Sequence, residues 1–400
     1  MGQDRAMRNT IVGIIIGVVV GVMIGATVVA PRLEEARTAP SSAPPSSHVS
    51  TSQATSVRGV ETLGLKQPFP NKSTKPLQAP ATRLRIISLY PAKMPVLGEL
   101  AQRLKRMIPA ATGGRLGITM FDPGTLVAKE DTLDAVSSGT IDGVFATPDH
   151  WGQDIPALQL FTAIPFGPDA QEHLAWFYQG GGRQLFETSM NKKGVHATLC
   201  GAIPPEASGW YRKPVRSADD FKDLNIRAVG LAGAVLTKLG AKVQNLDAGG
   251  VLAQFELGTL DAAQYSLPSV DAQLGFQKFA RNYYFPGWQR PVTLFALMLN
   301  AKVWQSLPAT ERTAIQSICG DNVRYALALA DAQQFEALKE LGLAGVQVRR
   351  WPDNVLQSLR SAWKEVVREQ AQNDDDFSKA WNSLQKFRRD YAIWYEISRF

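Results

Sequence analysis

Hydrophobic positions divide the chain into three parts. Residues 11–30 (IVGIIIGVVVGVMIGATVVA) form an uncharged apolar run. At the helical rise a run of that size covers about 30 Å, the thickness of a bilayer core. Residues 31–82 show no apolar period and are dominated by Ser, Thr, Pro and Ala, as in APSSAPPSSHVSTSQATSV. From Arg83 onward, short β-rich runs alternate with helical periods. LRIISLY (84–90), LGITMF (116–121) and IDGVFATP (141–148) read as strands, with helices predicted over 95–107 and 129–137 between them. This alternation predicts a parallel α/β layer.

The same order returns further along. Ser217 opens a short helix with a capping pattern, and NIRAVG (225–230) is a predicted strand. A helix over 231–239 ends at Gly240, VQNL (243–246) is a strand, 251–256 a helix and LDAAQYSLP (260–268) a strand. One tetrapeptide is echoed: Gly139-Thr140-Ile141-Asp142 and Gly258-Thr259-Leu260-Asp261 each follow a helix and enter a strand. Glycine ends helices because it adopts the left-handed conformation. Two copies of one arrangement predict two similar lobes, with the ligand site in the cleft between them.

The last third is predicted helical from 307 through 340, followed by the strand VQVRRW (346–351) and a helix opened by Pro352. In the final segment Phe377, Trp381, Leu384, Phe387, Tyr391, Trp394 and Ile397 step by three and four and define one wide apolar face. Such a face docks on its own lobe or on a second copy, and a homodimer is expected.

Charge changes the picture only once it is located. The 400 residues carry a net +7, which raises nucleic-acid binding as a function. Residues 1–82 hold +4 of it and the remaining 318 only +3, with basic residues interleaved among acids. No nucleic-acid partner is expected. Arg5 and Arg8 precede the apolar run and keep the N-terminus in the cytoplasm, so the rest is exported. The run is a signal anchor or a signal peptide. Val28 and Ala30 suit a cleavage site, but Pro31 would follow it, which favours an uncleaved anchor. Gly13, Gly17, Gly21 and Gly25 share one helix face that permits close approach of another helix. Residues 31–82 then serve as a flexible tether reaching roughly 40 Å.

Catalytic signatures are missing from the sequence. It holds no HExxH, CxxC, GxSxG or Walker A pattern. Cys200 and Cys319 are expected as buried free thiols, although export would permit a bridge. Asp149-His150 follows a strand with no nucleophile beside it. A binding protein is expected, with no enzymatic activity and no cofactor.

From about Leu84 onward the order of motifs resembles the periplasmic solute receptors of TRAP (tripartite ATP-independent periplasmic) transporters, the DctP family, and most of all its 2-oxo acid-binding branch. The resemblance rests on GAIPPEASGWYRKPVRSADDFKDLNIRAVG (201–230), LGTLDAAQYSLPSVDAQLGF (257–276) and YYFPGWQRP (283–291), with SSGTIDGV (137–144) and LMLN (297–300). It implies two α/β lobes hinged around a ligand, spanned by one long helix. Lobe I would comprise 83–205 and 293–332, lobe II 206–292 and 333–375, with a C-terminal amphipathic helix over 376–400. The implied function is capture of a small organic carboxylate and delivery to TRAP permease subunits in the membrane. The alternatives are a membrane-tethered sensor using the same cleft, or a receptor for a dicarboxylate or an amino acid.

Arg227 matches the family's substrate arginine. It stands at the end of a predicted strand, where α/β layers face their crevice, and a guanidinium there can hold a carboxylate by two parallel hydrogen bonds. Trp210, Trp288 and Tyr265 would supply apolar walls, and Tyr90, closing the first predicted strand, is a further candidate contact. Three positions depart from the 2-oxo acid branch: Glu206 stands for its usual glutamine, Gln264 for a metal-binding glutamate, and Arg290 for an acidic residue near the same metal. The exchange implies a metal-free site in which Arg290 replaces the ion and pairs with Glu206.

Overall fold

The structure is a computed structural model that describes residues 82–399. The apolar run 11–30, its glycine face and the tether up to residue 81 lie outside the described residues.

Two sheets form the framework. The first contains β1 (Thr82–Ser88), β2 (Leu116–Phe121), β3 (Gly143–Ala146), β4 (Val195–Ile203) and β10 (Thr293–Asn300), in the order β2-β1-β3-β10-β4. The second contains β5 (Gly209–Tyr211), β6 (Asn225–Arg227), β7 (Lys242–Gln244), β8 (Ala262–Ala263), β9 (Asn282–Phe285) and β11 (Gln347–Arg350). Its order is β7-β6-β8-β5-β9-β11. In each sheet the first three strands of the order are parallel, the fourth runs antiparallel to them, and the fifth runs antiparallel to the fourth. The lobes are therefore two copies of one topology, with β11 added to the second. Every residue of β10, TLFALMLN, is buried, as a strand covered on both faces requires.

The echoed tetrapeptides explain part of this likeness. Gly139 (φ 82°) and Gly258 (φ 73°) each end a helix in the left-handed region. The aspartate three residues later then accepts from a backbone N–H of the neighbouring strand. Asp142 Oδ2 takes Arg85 N at 2.7 Å, and Asp261 Oδ2 takes Asn225 N at 3.0 Å. One device docks β3 beside β1 and β8 beside β6.

The predicted strand 260–268 shrinks to Ala262–Ala263. Beyond it the Asp271 carboxylate draws in the Ser266 N–H at 3.1 Å, and Pro268 opens a helix (Pro268–Leu274). The helix Ala309–Leu343, about 50 Å long, connects the lobes. Cys319 near its start is buried in the core of the first sheet, and Leu341 near its end among Trp210 and Phe255 of the second. The final helix (Asp375–Ser398) buries Phe377 and Leu384 and half-buries Phe387 against the first lobe, while Trp381 meets Trp363 of the preceding helix (Asp353–Asn373) edge-on at 5.7 Å. Its last turns leave Ile393, Trp394 and Ile397 exposed by 66%, 58% and 75%.

Two chain crossings pass between the sheets, at 204–208 and 286–292. They run side by side: Glu206 N donates to Arg290 O at 3.1 Å, and Gln289 Nε2 to Ala207 O at 2.6 Å. Gly287 makes that approach possible, since a Cβ there would sit 1.9 Å from Glu206 O. Gly287→Ala is expected to lower stability by more than about 2 kcal/mol, because backbone must move to admit the methyl. Gly320→Ala in the long helix, where a Cβ meets nothing within 4 Å, is expected to stabilise by up to about 1 kcal/mol. Denaturant titrations of both variants check the contrast.

Cys200 and Cys319 correct an expectation. They are bonded as a disulfide, S–S 2.05 Å, and are not free thiols. The long helix lies directly on β4, bringing two fully buried cysteines together across 119 residues of sequence. Closing so long a loop restricts the unfolded chain, and losing the bridge is expected to cost roughly 2–4 kcal/mol. A thiol assay on denatured, unreduced protein should find no free thiol, and the Cys200→Ala/Cys319→Ala variant should melt lower.

Candidate functional site

Strand ends from both lobes converge on the crossings. From the first lobe, β1 runs out into Tyr90, whose hydroxyl donates to Thr147 Oγ1 at 3.1 Å and accepts from Thr147 N at 3.2 Å. Burial raises the pKa of this phenol and keeps it protonated. The turn after β3 (Pro148–Trp151) presents Asp149 and His150, and the His150 and Tyr90 rings lie 6.5 Å apart. Asp149 is fixed by its own N–H, which donates to Thr162 Oγ1 at 2.9 Å.

The crossings supply Glu206 and Arg290. Arg290 Nη2 lies 2.5 Å from Asp149 Oδ2, and its Nε lies 3.9 Å from Glu206 Oε2. Glu206 Oε1 accepts from Thr293 Oγ1 at 2.7 Å. All three charged side chains are mostly covered, with 15%, 12% and 6% exposure for Arg290, Asp149 and Glu206. The two distances separate the acids. Burial disfavours the Asp149 carboxylate, but the adjoining guanidinium outweighs burial and holds its pKa below the ordinary value. For Glu206 burial wins, and the more distant Arg290 with the Thr293 bond only partly offsets it, so its pKa is raised. Burial would lower the Arg290 pKa, yet the two acids raise it, so the guanidinium stays charged. The His150 pKa is lowered, by burial first and then by the charges of Arg290, Lys129 and Arg227 against the opposing pull of Asp149.

The second lobe contributes Arg227 at the end of β6. Its Nε donates to Leu246 O at 3.0 Å and its Nη1 to Gln264 O at 2.6 Å, and the guanidinium lies 4.9 Å from the centre of the Tyr265 ring. Nη2 donates no hydrogen bond among the described residues. Arg290 and Glu206 are near enough for their charges to act on Arg227. Gln264 Nε2 is buried and unpartnered beside it.

The structure thus brings Tyr90, Glu206, Arg227, Gln264, Tyr265 and Arg290 near one another where the lobes meet. It does not place Trp210 there. That ring is fully buried, stacks on Tyr283 at 3.9 Å and donates from Nε1 to Asp271 Oδ2 at 2.9 Å, which makes it core of the second lobe. Trp288 is also covered, stacking on Phe166 at 5.5 Å with an unpartnered indole N–H, and offers no open wall. The principal residue that sequence reasoning passed over is Asp149. It follows a strand end, the position that faces the crevice, and that signal was available. Its partner Arg290 is 141 residues away and was not readable. Among the described residues no three His, Cys, Asp or Glu side chains gather in a metal-binding group.

A family model described as DctP, bacterial extracellular solute-binding protein, family 7, matches residues 88–374. A monocarboxylate 2-oxoacid-binding periplasmic protein of Nostoc sp. is 29% identical over 330 residues, covering 82% of this chain and 90% of that protein. A TRAP transporter solute-binding protein from Bordetella bronchiseptica, a dimer with calcium and picolinate in one active site and the other site apo, is 32% identical. It matches with a TM-score of 0.77 over 80% of this chain and 95% of that one. A TRAP periplasmic solute-binding protein from Pseudoalteromonas atlantica, with bound sodium and pyruvate, is 28% identical. Its TM-score is 0.75 over 79% of this chain and 96% of that one. A family model that spans both lobes, together with the shared two-lobed shape, establishes that the chain belongs to the DctP family of solute-binding receptors of TRAP transporters, a family of transport proteins and not of enzymes.

Proposed function

We propose that this receptor captures a small monocarboxylate of the 2-oxo acid class outside the cytoplasmic membrane and delivers it to a TRAP permease. The observation that carries this is the Arg227 guanidinium. Two of its nitrogens are pinned by backbone carbonyls, while Nη2 has no acceptor among the described residues, and the guanidinium lies over the Tyr265 ring. A carboxylate meeting that edge gains charge-assisted hydrogen bonds from a donor that needs no reorganisation. The relatives that bind 2-oxo acids, pyruvate and picolinate supply the ligand class. Arg290 stands between Asp149 and Glu206, so its charge can help to hold one ligand carboxylate but leaves none over for a second. Glu206 is engaged by Thr293 and faces Arg290, which argues against an ammonium group.

Two further features belong to this reading. The run 11–30 anchors the receptor in the membrane, and the tether lets the lobes reach the permease. The exposed end of the last helix, with Ile393, Trp394 and Ile397, meets a second copy. Full-length protein should then be recovered from the membrane fraction and behave as a dimer in detergent. A shorter, freely soluble monomer would overturn both statements.

Ligand binding raises the melting temperature in proportion to RT ln(1 + [L]/Kd), about 2.7 kcal/mol at a hundredfold excess. Pyruvate and related 2-oxo acids are expected to give that shift, and succinate is not. Arg227→Ala should weaken binding by about 100-fold, on the order of 3 kcal/mol for two charge-assisted bonds, and so abolish the shift. An undiminished shift in the variant would remove Arg227 from the site.

A further inference from the structure

Both experimental relatives described above hold a metal cation together with their ligand, calcium with picolinate and sodium with pyruvate. The residues of this chain do not fit such an ion. The two acids nearest the cleft floor, Asp149 and Glu206, flank a guanidinium, and among the described residues no third acidic, histidine or cysteine side chain completes a cluster with them. Calcium takes six to eight oxygen ligands. Here Asp149 Oδ2 is held by Arg290, and Glu206 Oε1 by Thr293. An ion approaching Glu206 Oε2 would come within a few ångströms of the Arg290 charge and be repelled by it. Gln264 brings a neutral amide, whose unpartnered Nε2 can donate to an anion, and adds no negative charge for a cation.

Arg290 also has what a substitute needs. Nη2 is committed to Asp149 and Nε faces Glu206, but Nη1 has no acceptor among the described residues. A fixed positive charge with two free N–H groups therefore stands beside the two acids, near the guanidinium of Arg227. We propose that Arg290 does in this receptor the work that a bound cation does in those relatives, so that the ligand carboxylate is captured without any metal ion. The proposal rests on the carboxylate-receptor reading above, and its test separates the two.

Full-length protein is purified in detergent without chelator, and its metal content is measured by elemental analysis. Binding of pyruvate is then followed by calorimetry in three buffers: sodium-free with chelator, with sodium, and with calcium. Less than stoichiometric metal and an affinity that changes by less than about twofold among the buffers are expected, because guanidinium and carboxylate need no third partner. Arg290→Ala removes the charge between two acids and should make binding cation-dependent: weaker by about tenfold or more with chelator, and regained at least in part with calcium. Arg290→Lys keeps a charge and should remain cation-independent, which guards against a folding defect in the alanine variant. One bound cation per chain, wild-type binding that collapses on chelation or sodium removal, or Arg290→Ala binding like wild type without a cation would each overturn the proposal. If pyruvate binds under no condition, the ligand class fails, while the metal content of the wild-type protein still decides the role of Arg290.

Discussion

A guanidinium can be buried where two lobes meet only if acids surround it there, because an unpaired charge in such a place loses its hydration without return. Arg290 satisfies this through Asp149 and Glu206, and much of the local architecture follows from bringing the three together. Asp149 comes from the turn after β3 in the first lobe, whereas Glu206 and Arg290 lie on opposite crossings. The crossings must touch, so their backbones pair and residue 287 has no side chain. Thr293, the first residue of the central strand β10, then reaches the free oxygen of Glu206. The cleft floor is one polar unit. The pKa values of its two acids shift in opposite directions because they stand at different distances from the same charge.

Around that floor, one backbone design is used twice with different chemistry. β1 and β6 occupy equivalent places in their sheets, as do β3 and β8. The first pair ends near Tyr90 in one lobe and in Arg227 in the other. The second pair leads to Thr147 and Asp149 in one lobe and to Gln264 and Tyr265 in the other. The aspartates of the echoed tetrapeptides fix the register in both. Topology sets where groups arrive, since strand ends face the crevice, and the residue identities at those ends make one wall cationic and aromatic and the other phenolic and acidic.

Features carried by local pattern were legible in the sequence. Strand and helix alternation, the glycine helix ends, the long helix and Arg227 at a strand end all depend on neighbours within a few residues. What was not legible depends on distant pairing. The Cys200–Cys319 bridge needs the long helix laid on β4, and the Asp149–Arg290 pair needs the crossing of the lobes. Trp210 misleads for a related reason. It precedes Tyr211 in a motif adjoining the cleft, but a strand alternates its faces, and its indole N–H finds the buried Asp271 carboxylate 61 residues on. The apolar face of the last helix was read correctly as a face, yet its division into a docked half and an exposed half depends on where the first lobe ends beneath it.

Selectivity in such a cleft follows from which charges are already spoken for. Asp149 neutralises Arg290 closely and leaves one nitrogen free, while Arg227 has no acidic partner in its hydrogen-bond set. A ligand with one carboxylate completes that balance. A second carboxylate would find no further uncompensated cation, because the charge of Arg290 is already balanced by Asp149 and Glu206, and would stay desolvated and poorly paired. The neutral donor nearby, Gln264 Nε2, suits an uncharged oxygen next to the carboxylate, such as a keto group. Charge decides how many carboxylates enter, and the neutral donor decides what stands beside the one that does.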